Sequence, residues 1–275
     1  IPRALLADSV ALDEADAALQ VEDALTRLIE LGLLEDEASG ALRLHRLLAA
    51  FARSALADAA AQAAAEQAML DAAWRVNEAG YLLAMQPLLA HLRYTTDSAL
   101  ARADAQAAVL SINLGFHLKA AGDLVSAQPY YEHALAINQQ VLGERHPDTA
   151  TSLNNLGSLL HDMGDLAGAR AYYEQALDIL RAVLGERHPD TALSLNNLGM
   201  LLQDMGDLEA ARGYLEQALD ILRAVLGERH PHTATSLNNL GYLLKAQGDL
   251  AGARAYYEQA LAIQRDVLVE RHPNM

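Results

Sequence analysis

The 275-residue chain has no cysteine, which removes disulfides, thiolate zinc sites and cysteine nucleophiles at once and accords with a cytoplasmic location. Aromatic side chains are scarce, with one Trp and two Phe, and runs of β-branched residues are absent, so little favours sheet. Positive charge is also short. Twenty Lys plus Arg face 36 Asp plus Glu, and the net charge of −16 repels a phosphate backbone or an anionic lipid surface. No stretch approaches the ~20 apolar residues that span a bilayer, and no basic segment followed by an apolar one opens the chain. Neither nucleic acid nor membrane is therefore an expected partner.

The same scarcity limits catalysis. The only two lysines, Lys119 and Lys245, each follow a leucine and not the glycine of a phosphate-binding loop. No His-Glu-x-x-His helix and no Gly-x-Ser-x-Gly elbow occurs. His146, His188, His230 and His272 recur at a fixed interval, which separates them along the chain instead of converging them on a metal. Standing before Pro at helix starts, they read as structural. No enzyme activity, catalytic residue, metal or cofactor is expected within this stretch.

What is abundant is Ala and Leu in a repeating pattern, and the pattern organises the chain. The 42-residue segment that starts at His146 recurs at His188 and His230, and a degenerate copy fills residues 104–145. A further copy begins at 272–275, so the chain reads as part of something longer. Within one unit Leu153, Leu156, Leu160 and Met163 fall at helical spacing, Gly164-Asp165 interrupts, and Ala169, Tyr172, Tyr173, Ala176, Leu177 and Leu180 resume it. Each unit is thus a helical hairpin. Pro147 suits a first helical turn because its missing N–H is unpaired there anyway, and Asp148 complements the positive helix end. One hairpin cannot bury its own apolar faces, so the units must stack.

Leu156-Gly157, Gly164-Asp165, Ala169, Tyr173 and Ala176-Leu177 resemble the signature positions of the tetratricopeptide repeat. The 42-residue unit and its Leu-Asn-Asn-Leu sequence resemble the kinesin light chain class of these repeats. The resemblance implies an all-α, right-handed superhelical solenoid over 104–275 whose first helices line a concave groove for a protein or extended peptide.

The copies differ in a way that marks this groove. Between the first two, seven of 42 positions change, and Thr151/Leu193, Ser158/Met200 and His161/Gln203 share one face of the first helix. The third copy changes there again, with Tyr242 and Lys245. Beside them stand the unchanged pairs Asn154-Asn155, Asn196-Asn197 and Asn238-Asn239, with Asn113 in the same row of the degenerate copy. Each amide offers two donors and an acceptor to a peptide backbone. The expected peptide-binding residues are these Asn together with Phe116, Lys119, Ser158, His161, Met200, Gln203, Tyr242 and Lys245. An uncapped last helix, Leu250 to Leu268, is expected to expose an apolar face and to promote self-association.

Residues 1–57 carry no repeat. Glu22 to Gly32 reads as an amphipathic helix, Leu33-Leu34-Glu35 and Ala41-Leu42-Arg43-Leu44 as a short hairpin, and His45 to about Ala57 as a closing helix. This order, with Leu25 to Leu34 and Leu42 to Leu48, resembles the winged-helix domain that follows the nucleotide-binding region of NB-ARC-type STAND ATPases. The resemblance implies that His45 reaches the nucleotide of an upstream domain, so that ADP or ATP would be bound by the full-length protein. Leu44-His45-Arg46 keeps the family's His but neither its Met nor its Asp. Five Arg against eleven acidic residues over 1–60 exclude DNA reading by this domain. Residues 58–103 read as connecting helices, with Trp74, Tyr81, Leu88, Leu89 and Leu92 as packing anchors and a break at Pro87. The functions expected from the resemblances are the sensor or regulatory end of a STAND signalling ATPase, a stand-alone adaptor, or the regulatory end of a transcription activator.

Overall fold

The computed structural model describes residues 34–36, 42–44, 59–79 and 82–271, together with Leu25, Thr26 and Leu28 of an earlier helix. It divides into two units, Ile1–Asp123 and Leu124–Met275. The division falls inside the degenerate copy.

In the first unit, β1 (Leu34–Asp36) pairs antiparallel with β2 (Leu42–Leu44), in the register Leu34↔Leu44. The expected hairpin is therefore present, while His45 and most of the expected winged helix lie outside the described residues. Then come α1 (Ala59–Ala79), a 3-10 helix over Leu82–Leu88 that contains Pro87, α2 (Leu89–Leu100) and α3 (Ala105–Ala120). The inward face of α1 is built from small or flexible side chains, Ala68, Met69, Ala72 and Ala73, against Met85, Leu92 and Ala99. Trp74 was expected there, but it falls outside the inward stripe and is 63% exposed. Glu66, 1% exposed, is held by Arg102, whose Nη1 and Nη2 donate to Oε1 and Oε2 at 2.8 and 2.7 Å. This two-pronged pair raises the Arg102 pKa. Arg102 Nε also donates to Asp104, which lowers the Asp104 pKa and leaves that carboxylate to cap α3 through the Ala107 N–H.

The second unit contains α4 (Leu124–Leu142) and three hairpins: α5 (Pro147–Asp162) with α6 (Leu166–Leu184), α7 (Pro189–Asp204) with α8 (Leu208–Leu226), and α9 (Pro231–Ala246) with α10 (Leu250–Arg271). Local chemistry sets each boundary. His146, His188 and His230 cap the first helices, Nδ1 of each accepting the N–H two residues on. Gly164, Gly206 and Gly248 take φ near the left-handed region, 83, 87 and 86°, where an L side chain would be strained. Asp165, Asp207 and Asp249 then cap the second helices.

Within each hairpin the two helices meet at a glycine. A Cβ at Gly157 would stand 2.9 Å from Tyr173, at Gly199 2.7 Å from Leu215, and at Gly241 2.8 Å from Tyr257. Between hairpins, one continuous buried cluster runs from Ala169 to Ile263. Its fully buried leucines, such as Leu195 and Leu201, each contribute about 2 kcal/mol of apolar burial. Each second helix is sealed by the first helix of the following hairpin: Leu177 and Leu219 are both 3% exposed, whereas Leu261, at the same position of the last hairpin, is 46% exposed.

The two kinds of glycine predict opposite effects. Gly199→Ala drives a methyl into Leu215 and costs about 1–3 kcal/mol. Gly213→Ala meets open space and stabilises by about 1 kcal/mol, since Ala outranks Gly in an exposed helix. Thermal melts of the two variants are expected to move in opposite directions.

His117 makes a second prediction. It is 4% exposed, its Nε2 has no partner, and the three good copies carry Leu159, Leu201 and Leu243 at its position. Burial lowers its pKa from 6.5, so below 6.5 the unfolded chain takes up a proton that the folded chain refuses. The stability tied to this group is full above 6.5 and drains away as pH falls toward the folded pKa. His117→Leu is expected to stabilise by about 1–3 kcal/mol at pH 7 by removing an unmet polar group. It should also flatten the fall in melting temperature between pH 6.5 and 5.

Candidate functional site

The first helices of the second unit each bury one face and leave one stripe to solvent. In α5 the buried residues include Ala150, Ser152, Leu153, Leu156, Gly157 and Leu159. Among the residues that are not buried, Asp148, Thr151, Asn155, Ser158 and Asp162 are spaced 3, 4, 3 and 4 along one helix face. In α7 the stripe is Asp190, Leu193, Asn197, Met200 and Asp204, and in α9 it is His232, Thr235, Asn239, Tyr242 and Ala246. All of these are half-buried or exposed.

The three stripes lie side by side. The first helices of successive hairpins approach each other more closely than the second helices do, so they form the inner row of the stack. The His161 ring Nε2 lies 2.7 Å from the Asp204 carboxylate, bridging α5 to α7. His232 feels the Asp190 charge across the next seam.

The paired asparagines divide by role. Asn154 Oδ1 accepts from Ser194 Oγ, and Asn196 Oδ1 from Ser236 Oγ, both at 3.1 Å. Asn138 of α4 donates to Ser152 at 2.9 Å in the same manner. The first Asn of these pairs therefore ties neighbouring units together, which corrects the expectation that Asn154 and Asn196 face a ligand: their helix face points into the seam. Asn155 and Asn197, half-buried on the open stripe, have no side-chain hydrogen bond among the described residues. Asn239 makes only a long 3.5 Å contact to Asn196 Oδ1, and Asn238 is half-buried.

Around the amides, Ser158 bonds the Tyr173 hydroxyl, Met200 is half-buried, and Tyr242 and Lys245 are exposed. Gln203 is not exposed like Lys245: it is 7% exposed, and its Oε1 has no partner, as is also true of Asn196 Nδ2. Asn113, Phe116 and Lys119 belong to the first unit. There Asn113 donates to Val109 O of its own helix, and Phe116, 40% exposed, stands edge-on to His117. The sequence reading missed Asp148, Asp162, Asp190 and Asp204 as members of the stripe, although their seven-residue spacing from Asn155 and Asn197 was visible. Among the described residues no three His, Asp or Glu converge as metal ligands, and no helix is long and apolar enough to cross a membrane.

The division of the asparagines has a measurable consequence. Asn196→Ala breaks a buried seam bond and is expected to lower stability by about 1 kcal/mol or more. Asn155→Ala and Asn197→Ala, which break none, should stay within about 0.5 kcal/mol of the parent by chemical denaturation.

Comparison with known proteins follows the same lines. The sequence matches the tetratricopeptide repeat family over residues 105–182, 151–224 and 190–266. Among curated proteins none matches. Of solved structures, BtubC (BKLC) from P. vanneervenii is similar at 25% identity and a TM-score of 0.59, covering 81% of this chain and 88% of that one. A putative kinesin light chain from Podosopora anserina with nearly identical TPR-like repeats gives 23% identity and a TM-score of 0.55, over 73% of this chain and 95% of that one. PilF of Pseudomonas aeruginosa shares the fold at 19% identity and a TM-score of 0.50, over 73% and 77%. With hairpin, period and signature residues all in agreement, this chain belongs to the tetratricopeptide repeat family.

Proposed function

We propose that the chain is a protein-binding scaffold whose inner row of helices takes an extended polypeptide segment. The observation that carries this reading is the pair of unpartnered, half-buried amides Asn155 and Asn197, repeated one unit apart on an open face. Such a ladder matches a backbone, because each amide can donate to a carbonyl and accept from an N–H. Side chains that differ from copy to copy, Ser158, Met200 and Tyr242, then select among sequences.

At the finer level the scaffold serves as the sensor or regulatory end of a STAND-type signalling ATPase. The support is the likeness of residues 1–57 to the winged helix of that class, with the β1–β2 hairpin where that likeness puts it. The second reading, a stand-alone adaptor, is favoured by the 42-residue period with its Leu-Asn-Asn-Leu sequence. An encoded Gly-Lys-Ser/Thr phosphate loop upstream of Ile1 supports the first reading, and a start codon just before Ile1 the second.

Affinity capture from the host lysate, with the unmutated chain beside Asn155/Asn197→Ala, tests the groove. A protein retained by the parent and lost from the variant is the expected result. Equal retention by both would remove the amide ladder from the binding surface.

A further inference from the structure

The end face of the last hairpin repeats, uncovered among the described residues, the surface that the inner seams bury. In α6 and α8, Leu177 and Leu219 are buried beneath the following first helix, and Leu166 and Leu208 are half-buried. The same positions of α10 are Leu261 and Leu250, both exposed, and Tyr257 is half-buried where Tyr173 and Leu215 are buried. These three side chains line a shallow groove of about 260 Å³. Lys245, expected among the peptide-binding residues of the concave row, lines this end groove instead.

The polar groups of a seam are present there too, and unpaired. Asn154 and Asn196 accept from Ser194 and Ser236 of the following hairpin, whereas Asn238, at the same position, has no side-chain hydrogen bond among the described residues. Gln264 stands at the position where α4 carries Asn138, which donates to Ser152 across its own seam. Gln264 likewise has no side-chain partner among the described residues. Because Asn138 is buried in a working seam, an amide at this position does not mark a solvated cap.

The residue at the edge of each seam changes with the residue it meets. His161 Nε2 lies 2.7 Å from the carboxylate of Asp204, which stands ten residues beyond Ser194. At the next seam the two positions hold Gln203 and Ala246, and no charge is present on either side. In the last hairpin the position is Lys245, exposed and without an ion pair among the described residues. Its charge matches an acid at the place of Asp204.

We infer that this end face binds a helix of another polypeptide, one that carries a serine, leucines four and seven residues on, and an acidic residue ten residues on. These spacings lie along one side of a helix. They are those of Ser194, Leu198, Leu201 and Asp204 in α7, whose serine and leucines are buried. The serine would bond Asn238 and Gln264, the leucines would cover Leu261 and Tyr257, and the acid would pair with Lys245. A second copy has no such helix to offer from its second unit, since Ser152, Ser194 and Ser236 are already engaged in their own seams. The site is separate from the amide ladder and does not rest on it.

Fluorescence anisotropy with a labelled helical probe tests this. The probe has the sequence of His188–Asp204 and is stapled between positions 192 and 196, on the face opposite Ser194, so that it is helical before it binds. The chain is expected to bind it. Leu261→Glu, a change at an exposed position that should leave the melting temperature unchanged, is expected to weaken binding about tenfold, and Asn238→Ala about fivefold. Asp204→Lys in the probe should weaken binding about tenfold, and Lys245→Glu in the chain should restore it. Asn155/Asn197→Ala should leave the affinity within about twofold, which separates this site from the groove.

No binding of the probe, or equal binding by the Leu261→Glu chain, would overturn the inference. So would an Asp204→Lys probe that binds the parent chain as tightly as the original. A dimer in light scattering that Leu261→Glu converts to monomer, and that the probe fails to dissociate, would assign the face to a second copy and overturn it as well.

Discussion

The structure depends on the close approach of two helices within each hairpin. At Gly157, Gly199 and Gly241 there is no room for a methyl, because the ring or branch of the residue sixteen positions on already fills it. That contact sets the distance between the helices, and the distance decides which faces remain apolar and uncovered. A hairpin so built cannot be stable alone, so its outer apolar face must meet the next hairpin. The repetition of the chain is the consequence, and so is the continuous core from Ala169 to Ile263.

Stacking in turn frees the groove for function. Once the seams are held by Leu packing and by the Asn154–Ser194 and Asn196–Ser236 bonds, the middle of the remaining face of each first helix, at Asn155 and Asn197, makes no side-chain hydrogen bond among the described residues. Variation can collect there at little cost in stability. This accounts for substitutions such as Ser158/Met200/Tyr242 in copies that otherwise barely differ. His161 is an intermediate case: it lies at the edge of the stripe and joins Asp204 of the next helix, so it both closes a seam and shapes the surface.

The degenerate copy shows the opposite process. Where the good copies bury Leu159, Leu201 and Leu243, it buries His117, with one ring nitrogen unmatched. A polar residue has been kept in a core position at a cost in stability. In the same unit, Glu66 is deeply buried but fully answered by the guanidinium of Arg102 and the amide of Gln62, so its burial specifies how α1 meets the turn before α3.

The sequence alone determined the period, the two helices per unit, the Gly-Asp break and the His-Pro starts, because each follows from short-range chemistry: apolar spacing, φ-permissive glycine and N-terminal capping. It also placed the β1–β2 hairpin, from two apolar runs around Asp-Glu-Ala-Ser-Gly. It could not separate Asn154 from Asn155, since neighbours in a helix differ by about 100° of rotation, and only the position of the next hairpin shows which of them meets a serine. For the same reason Trp74 was misjudged: its apolar character suggested burial, but the partners of α1 seat on Ala68, Met69, Ala72 and Ala73 instead. Which of two adjacent side chains holds the stack and which is left to a ligand is decided by tertiary packing, because burial depends on the neighbouring element and not on the residue.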